Sequence, residues 1–91
     1  MLNTFTITRS NLAGLVDVTE KGTQNGLMCV YLHADCVEAY RGGDMSRDVF
    51  GYLPKAVRAA VLKHFEAVFA VPIGKRTAYL ASLPQSFEVT I

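Results

Sequence analysis

Residues 53–71 (LPKAVRAAVLKHFEAVFAV) form one strongly amphipathic stretch of helical period, while short stretches of alternating period stand near the two ends, residues 4–8 (TFTIT) and 86–91 (SFEVTI). On a wheel of about 100° per residue, Val57, Val61, Phe65, Val68 and Phe69 gather on one side. Lys55, Ala59, Lys63, Glu66 and Ala70 take the other. In the first alternating stretch Phe5 and Ile7 share one face opposite three threonines, and in the last Phe87, Val89 and Ile91 share a face opposite Ser86, Glu88 and Thr90. An apolar helix stripe and half-apolar strands bury each other, so the chain is expected to be an α+β fold. We read it as a small antiparallel sheet covered on one face by one main helix, forming a single domain over residues 1–91. The two end strands are expected to be antiparallel partners in that sheet.

The middle of the chain leaves alternatives open. Between Ser10 and Gly22, Ser10 is placed to cap a helix whose apolar residues Leu12, Leu15 and Val16 follow at helical spacing, with Gly14 weakening it. The competing reading is a strand through the β-branched Val16, Val18 and Thr19 that turns at Asn25-Gly26, a strong hairpin signal. The continuous apolar run 27–32 (LMCVYL) predicts the central strand. Residues 35–42 read either as a short helix opened by Asp35 and closed by Gly42-Gly43, or as a strand from Cys36 to Arg41. A helix at 10–22 followed by a strand from Cys36 to Arg41 would complete the β-α-β-β-α-β order of the ferredoxin-like split β-α-β. Asp44 is placed to start a short helical turn reaching Phe50, Pro54 falls where a first helical residue stands, and Pro72 ends the main helix. Residues 77–83 are compatible with a strand or a helical turn, and Pro84-Gln85 breaks the chain before the last strand.

A chain of 91 residues with 51% hydrophobic side chains and a mean hydropathy of +0.24 has more apolar surface than so small a domain hides comfortably, which points to a protein partner or a homodimer. The net charge of +1 argues against a generic polyanion binder. Charge is nonetheless uneven along the chain. Arg9, Lys21, Arg41 and Arg47 face six acids in residues 1–50 (Asp17, Glu20, Asp35, Glu38, Asp44, Asp48), whereas Lys55, Arg58, Lys63, Lys75 and Arg76 outnumber Glu66 and Glu88 thereafter. Two cysteines are too few for a disulfide scaffold, and no secretory hydrophobic region precedes the first strand, so free thiols in a cytoplasmic setting are expected. Arg58, Lys63, His64 and Glu66 interrupt the longest apolar segment, so no membrane span is expected.

Candidate chemistry is sparse. Cys29, His33 and Cys36 have the i, i+4, i+7 spacing of three ligands on a helix. In a continuous strand, however, Cys36 falls on the opposite face from the other two, and structural zinc takes a fourth ligand. No metal and no cofactor are expected. A thiol nucleophile drawn from Cys29 or Cys36 with His33 or His64 has no local support, and His64 shares the sector of Val57 and Val68, where it reads as a core-edge histidine. The segment 74–77 (GKRT) resembles the end of a phosphate loop but lacks the upstream glycine, since position 69 is Phe69. A weaker anion site remains: Lys55 and Arg58 in the first turn of the main helix, joined by Lys75 and Arg76, would give a nucleic-acid or anion-binding group. Tyr52 and Tyr79 are further candidate binding residues, tyrosine being enriched at interface hot spots.

These observations favour a non-enzymatic protein-interaction module that blocks or docks on a larger partner, with the basic group as the alternative. In size and general character only, the chain resembles small phage-encoded inhibitors of host defence such as anti-CRISPR proteins, and no motif carries that resemblance.

Overall fold

A computed structural model describes residues 3–22, 28–33, 36–42 and 44–91. Five strands form one antiparallel sheet: β1 (Thr4–Arg9), β2 (Leu15–Glu20), β3 (Met28–His33), β4 (Cys36–Arg41) and β5 (Ser86–Thr90), in the spatial order β4-β3-β2-β1-β5. The first four run as a meander. Two helices, α1 (Lys55–Phe69) and α2 (Arg76–Ser82), then carry the chain back to the far edge, where β5 pairs with β1 in the register Ile7 to Phe87.

Residues 10–22 take the strand alternative. Ser10 Oγ accepts the Leu12 N–H at 3.1 Å and lies 3.0 Å from the Leu15 carbonyl, so it closes a tight turn instead of capping a helix. Val16 and Val18 then enter the buried face, the setting that favours β-branched side chains. Gly22, at φ +91°, ends β2 in a conformation that L side chains rarely adopt. The Asn25-Gly26 turn lies outside the described residues. Residues 36–41 are the strand that the ferredoxin-like order needs, but residues 10–22 supply a strand and not its first helix, so that order is not adopted. The run expected to be central is interior but second from the edge, and β2 holds the middle of the sheet. Residues 76–82 resolve to helix, and Pro54 precedes the first residue of α1 instead of occupying it.

One face of the sheet meets α1. Cross-strand rows Phe87–Ile7–Val18–Met28 and Val16–Val30–Ala39 supply the floor, and Leu53, Val57, Val61, Phe65 and Val68 supply the roof. Phe69 departs from its expected place in that roof: it is 41% exposed at the flank of the stripe, beside Gly14. Ile91 lies beyond β5 and is 37% exposed, outside the core. The β4 edge is guarded at its centre, where Asp48 Oδ1 accepts the Ala39 N–H at 2.9 Å and the Val49 N–H donates to the Ala39 carbonyl at 2.8 Å. An occupied edge cannot template strand addition at those groups. No helix among the described residues is long and apolar enough to cross a membrane.

Candidate functional site

Among the described residues no helix covers the second face of the sheet, and its side chains follow from the period-2 alternation of each strand. Across β4, β3 and β2 the pairs Tyr40–Cys29–Asp17 and Glu38–Tyr31–Leu15 form two adjacent rows, continued by Thr8 and Ser86 on β1 and β5. Tyr31, Tyr40, Leu15, Asp17, Cys29 and Glu38 are all half-buried by one another. Tyr31 stacks on His33 with ring centres 5.8 Å apart and meets Tyr40 at 6.1 Å. Among the described strand residues on this face the charged ones are Asp17, Glu38 and Glu88, with no lysine or arginine. At one corner Lys21 approaches Glu88 at 3.9 Å, an exposed pair that contributes little.

The carboxylates tune their neighbours. The Tyr40 hydroxyl donates to Glu38 Oε2, and this bond, then desolvation and the negative charge of Glu38 and Asp48, push its pKa up to about 12. The Cys29 thiol is pushed up first by burial and then by Asp17, which keeps it protonated and a poor nucleophile. Cys36 pairs directly with His33 across the β3–β4 hairpin, so it shares a face with Cys29 and His33, correcting the expectation from a continuous strand. The fold-back still leaves Cys29 four residues along β3 from His33, about 13 Å at strand rise. Among the described residues no group of three potential metal ligands comes together.

The basic residues do not form one group. Lys55 and Arg58 lie at the start of α1, while Lys75 and Arg76 lie past its end, and a helix of 15 residues separates its termini by about 21 Å. Arg58 Nε donates to the Leu53 carbonyl at 3.0 Å. Arg76 closes the far end: its Nε donates to the Val71 carbonyl at 2.9 Å, its Nη2 to the Phe69 carbonyl at 3.1 Å, and its guanidinium lies 4.5 Å over the Phe69 ring. Positive charge on orphan carbonyls at a helix C-terminus is favourable, so Arg76 is a cap. Lys55 and Lys75 are exposed. Tyr52, also exposed, accepts a hydrogen bond from Arg47 at 2.6 Å and lines a cleft of about 360 Å³ with Arg41, Asp44 and Val49.

Tyr79 stands apart from Tyr52, in a cleft of about 250 Å³ between α1, α2 and the ends of β1 and β5, shared with Arg9, Lys63, His64 and Phe87. His64 is buried, and desolvation followed by the Arg9 charge holds its pKa below the usual 6.5. Sequence reasoning missed both this cleft and the open face. For the open face a signal existed, the i, i+2 spacing of Cys29-Tyr31-His33 and of Cys36-Glu38-Tyr40, but the unbroken hydropathy of residues 27–32 hid it. No family model matches the chain, and comparisons with curated proteins and with solved structures return no match.

Proposed function

We propose that this chain is a non-enzymatic docking module that lays the uncovered face of its sheet on a basic surface of a larger protein. The observation that carries the reading is the character of that face: Tyr31 on β3 and Tyr40 on β4, Leu15 on the middle strand, Asp17 and Glu38 among them, and no lysine or arginine among the described strand residues there. Tyrosine offers large contact area at low entropic cost, and a single sign of charge selects a partner of the other sign. The same argument disfavours a second copy of the chain on this face, because Asp17 and Glu38 would meet their own kind. It disfavours nucleic acid there as well. At about 4.8 Å between neighbours, five strands span about 19 Å from first to last axis, enough for the centre of a standard interface. Inhibition of the partner by occlusion, the mode suggested by the small size, is part of this proposal.

The test is affinity capture from host lysate with nuclease, comparing the natural chain with two paired charge reversals. Asp17→Lys with Glu38→Lys should abolish recovery of one specific protein, while Lys55→Glu with Lys75→Glu leaves it within about twofold. Recovery that vanishes with nuclease, or that responds to the second pair alone, contradicts the proposal.

A further inference from the structure

The cleft between α1, α2 and the end of β1 lies on the helix side of the sheet, away from the proposed docking face, and its chemistry is of another kind. Arg9, Lys63, His64, Tyr79, Leu83 and Phe87 are among its lining residues, and none of the lining residues is acidic. His64 is only 7% exposed and lines the cleft with the others. Arg9 reaches in beside it. Its guanidinium sits 4.5 Å over the Phe87 ring, its Nη1 donates to the Pro84 carbonyl at 2.5 Å, and its Nε is buried with no hydrogen-bond partner.

Buried polar groups are paired in nearly all native structures, and each unpaired one costs stability. Here one such group, Arg9 Nε, together with the buried His64 ring, a second cation at Lys63 and a phenol at Tyr79, meets one cleft that supplies no acceptor carrying negative charge. Its other walls, Phe87 and Leu83, are apolar. We propose that this cleft binds a small organic carboxylate: the carboxylate takes the terminal guanidinium donors of Arg9, whose Nε is buried, with Lys63, and an apolar body rests on Phe87 and Leu83. Guanidinium matches a carboxylate geometrically, and the aromatic ring under Arg9 fixes its plane. A volume of about 250 Å³ is below the range of drug-sized sites, so the body is about the size of a single ring.

The test is an NMR titration of the whole chain with benzoate, benzamide and inorganic phosphate, following the His64 ring and Arg9 Nε–H signals. Benzoate should saturate these signals with half-saturation below about 1 mM, and both benzamide and phosphate should bind at least about tenfold more weakly. Lys63→Ala, an exposed position, should weaken benzoate about three- to tenfold, and Arg9→Gln more, with the rest of the spectrum unchanged. If Arg9→Gln fails to fold, Lys63→Ala decides. Benzamide or phosphate matching benzoate, no saturation by about 10 mM, or an unchanged affinity in Lys63→Ala overturns the proposal.

Discussion

His64 is the residue whose environment has the clearest consequence in solution. It is buried beside Arg9 and held neutral, its pKa lowered by desolvation and then by that charge. The unfolded chain, with an ordinary pKa near 6.5, therefore binds more protons than the folded one in the interval below that value. Its contribution to stability is fully present above about pH 6.5 and is lost as the pH falls through the depressed folded value. Urea midpoints should accordingly drop between pH 7.5 and pH 5, and His64→Leu should flatten that drop. An equal drop in the variant would assign it to other groups. Arg76 shows the opposite case, a charge that looked like a ligand-binding group and is occupied at home by the carbonyls of Val71 and Phe69. Its partners lie five and seven positions back, across the chain reversal after α1, so helical periodicity gives no hint of them.

At the scale of elements, α1 separates two phenylalanines that the helical wheel placed together. Phe65 is 3% exposed within the core, and Phe69 is 41% exposed on the flank. Phe65→Ala should cost about 3–5 kcal/mol, and Phe69→Ala about 1–2 kcal/mol through partial burial and the lost Arg76 contact. Chemical denaturation of the two variants measures both, and equal losses would mean that Phe69 shares the core. The wheel resolves the direction of the stripe but not its width, because the width depends on the curvature of the sheet beneath it. The strands at the two ends were legible because threonine alternates with Phe5 and Ile7, and glutamate and threonine with Phe87 and Val89. The segment 10–22 was not, since Ser10 has the chemistry of a helix cap and of a turn closure alike, and only the pairing of β2 with both neighbours decides between them. The cleft at Arg9 joins residues 9, 63, 64, 79 and 87, a set that only tertiary structure assembles.

The whole molecule has a one-sided design: one sheet face is closed by α1, the other is left open with tyrosines among carboxylates, and Lys55 with Arg58 and Lys75 with Arg76 stand towards opposite ends of α1. This arrangement turns a nearly neutral chain into one with a distinct acidic surface, while exposed apolar side chains such as Leu12, Met45, Leu62 and Ile73 lie outside the strands of that face. Covalent footprinting of the chain, free and bound to its captured partner, tests the docking claim most directly. Carbodiimide labelling of Asp17 and Glu38 and oxidation of Tyr31 and Tyr40 should fall at least about fivefold in the complex, while amine labelling of Lys55 and Lys75 stays within about twofold. Protection of Lys55 and Lys75, with Asp17, Glu38, Tyr31 and Tyr40 as reactive as in the free chain, would contradict the account.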